Sequence, residues 1–216
     1  MEGRPGFFLY RHGVNERLHS AHRSDSACAV IELLPAQNHR RERWKNGGGW
    51  TREIARSPGE GEWHWRLSIA EIVVDGPFSR FDGCDRELVL LAGQGMDLNF
   101  DNGESVRLDA PRARVRFSGE REVSAHLLHG PTTDFNLMWR REAIDAQLMH
   151  RPLVGSMLFF GEIGVTWAIY VLAGEVRTAA GPLEMGDAAL LRADTGRTVM
   201  NGGGELLIAK LVERKA

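Results

Sequence analysis

Two short stretches carry side chains whose types and spacing could grip a small polar molecule. In Asp134-Phe135-Asn136-Leu137-Met138-Trp139, polar or soft residues alternate with large apolar ones, and Trp65-Arg66-Leu67-Ser68-Ile69-Ala70 repeats the pattern. Successive side chains of a strand point to opposite faces, so Phe135, Leu137 and Trp139 take one face and Asp134, Asn136 and Met138 the other. The apolar set belongs in a core. The second set, with Arg66 and Ser68, is poor in the Lys and Glu of an ordinary solvated face; small and amide-bearing side chains suit a cavity that hydrogen-bonds a small ligand. Spacing alone leaves cavity and solvent as equally good accounts. Arg86, in Gly83-Cys84-Asp85-Arg86-Glu87 at the start of an apolar strand, could hold a carboxylate through two parallel hydrogen bonds, the plainer account being a surface ion pair with Asp85 or Glu87. A third stretch, Trp44-Lys45-Asn46-Gly47-Gly48-Gly49, combines a flat apolar wall, an amide that donates and accepts, and three glycines that let backbone approach a ligand or a neighbouring strand; a bare turn would use the same residues.

Familiar catalytic signatures are absent. There is no G-x-S-x-G elbow, Gly47-Gly48-Gly49 is not followed by Lys-Ser or Lys-Thr, and no G-x-G-x-x-G links a strand to a helix. His126 and His129, three apart on an expected strand, point to opposite faces and so make a poor metal pair, and no histidine follows His150. The two cysteines, Cys28 and Cys84, are too few and too far apart for a thiolate zinc site or a disulfide framework, which fits a reduced cytoplasmic chain.

Those residues need elements to position them. The chain has 216 residues, enough for one large domain or two small ones that share a core. Lys and Arg number 27 against 29 Asp and Glu, a balance that gives no electrostatic reason to bind nucleic acid or anionic lipid. With 25 glycines, many tight turns and short strands are expected. Residues 1–26, with scattered charges, no clean periodicity and no export-signal core, read as a loosely ordered extension; His19 and His22 belong to this solvated tail. Strands are expected at Ala29–Leu34, Glu62–Ile72 (with Trp63 beside Trp65 on the core face), Leu88–Leu91, Met96–Phe100 and Ser105–Leu108 about an Asn102-Gly103 turn, Arg112–Phe117, Val123–Leu128 and Phe135–Trp139. Only Glu142–Met149 is spaced for a short helix. The apolar run Ser156–Gly174 is broken by Gly161, Glu162 and Gly164, which fits two strands and a turn rather than a membrane span. The stripe Arg112, Arg114 and Arg116 reads as a solvated strand face. Leu90-Leu91-Ala92-Gly93 is echoed by Val171-Leu172-Ala173-Gly174, and Asn46–Gly49 by Asn201–Gly204, read as a plain turn; two related β-units or coincidence account for the echoes.

Five motifs in order and register, Trp44–Gly49, Thr51-Arg52-Glu53-Ile54-Ala55, Trp65–Ala70, Gly76-Pro77-Phe78-Ser79-Arg80-Phe81 and Asp134–Met138, resemble the HutD/Ves family. The likeness runs from about Ala29 to Lys210 and is sharp from Trp44 to Arg141. It implies an all-β bicupin, an RmlC-like jelly roll with two β-barrel-like halves, here residues 27–150 and 151–216 after the extension 1–26. Metal-binding cupins carry His-x-His and a downstream Glu. The matching positions here are Ser79, Phe81 and Glu87, so no metal and no other cofactor is expected. Family members are associated with histidine catabolism as accessory or regulatory proteins that sense a pathway intermediate such as urocanate or a formylated or formiminated glutamate; another branch is linked to environmental stress. Carried onto this chain, the resemblance implies a non-enzymatic cytoplasmic binder of a small carboxylate. Its site would be formed by Trp44, Asn46, Arg66, Ser68, Arg86, Asp134 and Asn136. Arg86 would anchor the carboxylate, Asn46, Ser68 and Asn136 would read the polar end, and Trp44 would pack on the flat part. No nucleic-acid or membrane partner is expected, and a homodimer through exposed strands is. The alternative is a metal-free cupin isomerase, lyase or hydrolase with Asp134 or Glu53 as general base, although a neighbouring arginine should hold such a carboxylate down.

Overall fold

The computed structural model describes residues 30–192 and 196–215. Cys28, His19, His22 and the expected extension 1–26 lie outside the described residues. In chain order the strands are β1 (Val30–Leu34), β2 (Arg40–Arg43) after a 3-10 turn (Ala36–Asn38), β3 (Gly49–Ser57), β4 (Trp65–Ile72), β5 (Gly76–Pro77), β6 (Cys84–Ala92), β7 (Met96–Phe100), β8 (Ser105–Leu108), β9 (Arg114–Ser118), β10 (Val123–Leu127) and β11 (Thr132–Arg140). The last five are β12 (Ile144–Phe160), β13 (Val165–Thr178), β14 (Gly181–Leu183), β15 (Ala188–Arg192) and β16 (Arg197–Glu213). All described pairings are antiparallel.

They form three sheets: β2-β3-β4-β11-β6-β9, β5-β10-β7-β8, and β1-β15-β13-β16-β12 with β14 beside β13. The first is the middle layer, because both of its faces are covered. Period-two alternation sends Trp65, Leu67, Ile69, Val89, Phe135, Leu137 and Trp139 to one side, where they pack with Tyr170, Leu172, Leu190 and Leu207 of the long-stranded sheet. The other side sends Ala70, Ile72 and Leu88 against Met96, Leu98, Phe100 and Val123 of the small sheet. A third core lies on the far side of the long-stranded sheet, where Leu153, Phe159, Val176 and Met200 close over Ile169, Val171 and Leu191.

Several expectations need correction. Glu142–Met149 is not a helix: Ile144–Met149 pairs residue for residue with Ile208–Glu213 of β16. The buried Ile144 and Leu148, four apart, satisfy a helical face and a strand face alike, and the β16 partner decides between them. Asn201–Gly204 is not a turn; it runs inside β16 between β12 and β13. The glycines serve close approach: at Gly174, with φ +85°, an added Cβ would meet the Gly203 carbonyl oxygen at 2.0 Å. Trp63 precedes β4 and lies against Phe81, ring centroids 6.2 Å apart, rather than on the core face. The arginine stripe is partly a seam, since Arg112 pairs with Glu205 at 3.4 Å and Arg114 donates to the Leu148 carbonyl at 3.2 Å. β12 runs unbroken from Ile144 to Phe160, and β1 pairs with β15 in the sheet of the later strands.

Candidate functional site

At one end of the core shared by the middle and small sheets lies a cavity of about 630 Å³. Its floor is the face of β4, β11 and β6 that is turned toward the small sheet, opposite the face carrying Trp65, Leu67 and Phe135. Register sets three rows across that floor: Arg66–Met138–Arg86, Ser68–Asn136–Leu88 and Ala70–Asp134–Leu90. The walls are the end of β2 and the loop after it, Glu42–Asn46, together with Pro77, Phe78, Ser79 and Phe81. All seven residues singled out in the sequence, Trp44, Asn46, Arg66, Ser68, Arg86, Asp134 and Asn136, line this one cavity.

Their states differ. Trp44 donates its indole N–H to Thr51 Oγ1 at 2.8 Å, and Asn46 Oδ1 accepts the Gly48 N–H at 3.0 Å, which closes the loop. The glycine run has a steric reason: a Cβ on Gly49 would lie 2.4 Å from the Glu71 carbonyl oxygen and 3.2 Å from the Trp44 ring. Arg66 is held by Glu53, Nε to Oε2 at 2.6 Å. Ser68, Asp134, Arg86 and Asn136 are 1%, 1%, 6% and 7% exposed, and they form the deep part.

Arg86 is not the surface ion pair that its sequence neighbours allow. Alternation along β6 turns Asp85 away to Arg116 and Arg141, both at 2.8 Å, and Glu87 toward Arg114 at 3.7 Å. The guanidinium carbon instead sits 5.0, 5.7 and 5.2 Å from the ring centroids of Phe78, Phe81 and Phe117, a cage that fixes the cation by its faces. One hydrogen bond, Nη1 to the Ser79 carbonyl at 3.3 Å, holds it, and Nε has no partner. Burial lowers its pKa to about 10, with the charge of Asp134 opposing that fall. Both carboxylate oxygens of Asp134 and Oδ1 of Asn136 are likewise buried without a partner. Burial pushes Asp134 up to about 7 against the pull of Arg86. The expectation that a nearby arginine would hold the carboxylate down is thus reversed: no direct ion pair joins the two, and desolvation outweighs attraction across a gap.

The phenyl cage is not singled out in the sequence. Phe78 and Phe81 sit in the Gly76–Phe81 motif, where their pairing with Arg86 has no local signal, and Phe117 arrives from β9 opposite Arg86. Arg43, Lys45, Thr51 and Met138 also line the cavity. Four basic side chains (Arg43, Lys45, Arg66, Arg86) face it against two acidic ones (Glu42, Asp134), a balance that favours an anion. Ser79 and Phe81 are on its wall, whereas Glu87 faces Arg114; no group of three or more His, Cys, Asp or Glu suited to a cation occurs among the described residues.

The sequence model of the HutD family matches residues 36–208. An uncharacterized 21.2 kDa protein of the hutC 3′ region in Pseudomonas putida is 46% identical over 120 residues, 55% of this chain and 63% of the relative, so the match spans less than two thirds of that protein. Protein Ves of Citrobacter koseri is 34% identical over 169 residues, 77% of this chain and 82% of the relative. Among solved structures, HutD from Pseudomonas fluorescens SBW25, obtained in a formate condition, superposes with a TM-score of 0.76 at 34% identity over 86% of this chain and 100% of that one. A cupin 2 conserved barrel protein from Leptotrichia buccalis, 10% identical, superposes with a TM-score of 0.51 over 76% of this chain and 88% of that one, which speaks for the fold alone. Among the described residues, no helix is long and apolar enough to cross a membrane.

Proposed function

This chain belongs to the HutD family of cupin-like β-proteins, associated with the histidine-utilisation gene region, and we propose that it is a cytoplasmic binding protein for a small carboxylate of that pathway. The observation that carries the reading is Arg86: a buried guanidinium, caged by three phenyl rings and short of acceptors, at the floor of a net basic cavity. Such a group offers a carboxylate two strong, charge-assisted hydrogen bonds in a place where water competes poorly. Trp44 gives the ligand a flat wall, while Ser68 and Asn136 give it polar contacts. Urocanate and formylated or formiminated glutamates combine one or more carboxylates with a polar nitrogen group and are the candidate ligands. The role is regulatory: an acid that binds one state of the protein better than another shifts their balance. The near-neutral charge of the chain supports a small ligand rather than a nucleic acid or a lipid surface. A homodimer through exposed strand edges remains part of the proposal.

A thermal-shift panel tests this with urocanate, formiminoglutamate, N-formylglutamate, glutamate and histidine on wild type and Arg86→Ala. A ligand at about 100 times its Kd should add about 2.7 kcal/mol of stability. A shift with a pathway acid, lost in Arg86→Ala, is the expected result; no shift with any of the five refutes the reading.

One observation favours a second reading. An Asp134 pushed up to about 7 is tuned for proton transfer near neutral pH, as a general base of a metal-free isomerase, lyase or hydrolase requires. Glu53 suits that role less well, being paired with Arg66 and, at 3.8 Å, with Arg56. Turnover of a bound acid that is abolished in Asp134→Asn while binding persists would decide for the enzyme.

A further inference from the structure

We propose that a second cavity, bounded by the other side of Phe81, is an anion site that takes a phosphate group. It has a volume of about 510 Å³ and is lined by Arg56, Arg80 and Arg140 together with Trp63 and Phe81. It lies at the end of the middle sheet where β3 and β11 finish and β4 and β6 begin. Arg140 stands two positions after Met138, on the same face of β11, and register sets it beside Cys84 of β6. Arg56 of β3 stands beside Arg66 of β4, and Arg80 comes from the segment between β5 and β6. Phe81 belongs to the walls of both cavities, its ring centroid 5.7 Å from the Arg86 guanidinium carbon and 6.2 Å from the Trp63 ring. The inference concerns a different site from the acid-binding reading and does not depend on it.

Three guanidiniums from three separate segments meet here against two acidic side chains, Glu62 and Asp82. All three are within reach of a solute, their side chains being 29%, 55% and 28% exposed for Arg56, Arg80 and Arg140. Two are oriented in advance by backbone: Arg56 donates Nε to the Gly59 carbonyl at 2.8 Å, and Arg140 donates Nε to the Trp63 carbonyl at 3.1 Å. Holding a donor in place before the ligand arrives lowers the ordering cost of binding. The carboxylates that now face Arg80 and Arg140 are Glu122 at 3.3 Å and Glu62 at 3.4 Å, and both are largely exposed. Ion pairs of that kind contribute little, so an anion of higher charge displaces them. Arginine forks suit carboxylate and phosphate alike, but a phosphate offers three oxygens to three donors, whereas a carboxylate offers two in one plane. The Trp63 and Phe81 rings, inclined at 54°, give an apolar wall to whatever the phosphate is attached to. Free phosphate and a phosphate ester share this chemistry.

The test is isothermal titration in a buffer free of phosphate and sulfate, with inorganic phosphate, phenyl phosphate and benzoate as probes. The chains compared are wild type, Arg80→Gln and Lys45→Gln. Arg80 is exposed, so its variant keeps the fold, and Lys45→Gln removes the same charge from the wall of the first cavity. Both phosphates are expected to bind wild type. Arg80→Gln should weaken them at least about tenfold, the worth of one charge-assisted hydrogen bond, and Lys45→Gln less than about twofold. Benzoate affinity should not depend on Arg80. Tighter binding of phenyl phosphate than of inorganic phosphate identifies an ester as the ligand, and equal or weaker binding identifies free phosphate. No binding of either phosphate, a loss below tenfold in Arg80→Gln, an equal loss in Lys45→Gln, or a benzoate affinity that falls with Arg80 overturns the proposal. None of these outcomes turns on whether the first cavity takes an acid.

Discussion

Replacing Asp134 with Asn should make the protein more stable at neutral and alkaline pH and leave it unchanged in acid. The carboxyl is 1% exposed, neither oxygen has a partner, and burial has pushed it from 3.8 up to about 7. Its folded pKa is therefore above its unfolded value. The stability tied to the protonated carboxyl is fully present below about pH 4 and is lost as pH rises through about 7, because the unfolded chain gives up the proton first. The difference of 7 − 3.8, about 3 pKa steps at 1.36 kcal/mol each, sets a ceiling of about 4 kcal/mol on the loss. Asn keeps the size and removes the charge. It also removes the field that helps Arg86 stay charged, so a net gain of about 1–3 kcal/mol at pH 8 is expected. Urea unfolding followed by tryptophan fluorescence at pH 5, 6, 7 and 8 measures it, since other titrations cancel between wild type and variant. The variant's advantage must grow with pH across that range. A difference that does not depend on pH, or a variant less stable than wild type at pH 8, refutes the reasoning.

Two further predictions concern the frame of the site. Gly49→Ala drives a Cβ to 2.4 Å from the Glu71 carbonyl and against the Trp44 ring; it should cost about 1–3 kcal/mol, read as a lower Tm, and distort the Trp44–Asn46 wall. Glu120 is held near 2 by Arg141 and Ser118, so the stability it contributes is present above its ordinary pKa of 4.5 and fades as pH falls through about 2. Partial exposure of the Glu120–Arg141 pair limits the cost of Glu120→Gln at pH 7 to below about 1 kcal/mol, a loss that urea titration at pH 7 and pH 3 should show shrinking in acid.

What is legible in the sequence is what is local. Alternation in Trp65–Ala70 and Asp134–Trp139 places Arg66, Ser68, Asp134 and Asn136 on one face, because a side chain's face depends only on its own strand. The middle layer, covered on both sides, makes the second face a cavity floor rather than a wet surface, and that depends on strand order. Phe117 reaches Arg86 only because β9 pairs with β6. The raised pKa of Asp134 follows from a depth set by β4 and β6 on either side of β11. Glycine is ambiguous for a related reason: Asn201–Gly204 has the composition of a turn, yet its missing Cβ atoms serve the close passage of β12, β13 and β16. Ile144 and Leu148 mislead because a spacing of four fits a helix and also every second position of a strand.

The central claim is that Arg86 anchors a small acid at the cavity floor. The most direct measurement is a crystal structure of the chain grown with urocanate or formiminoglutamate at saturating concentration. The account predicts one acid per chain in the cavity, its carboxylate within hydrogen-bond distance of the Arg86 guanidinium. An acid bound elsewhere on the chain, or an Arg86 that faces the ligand without a carboxylate contact, would contradict it.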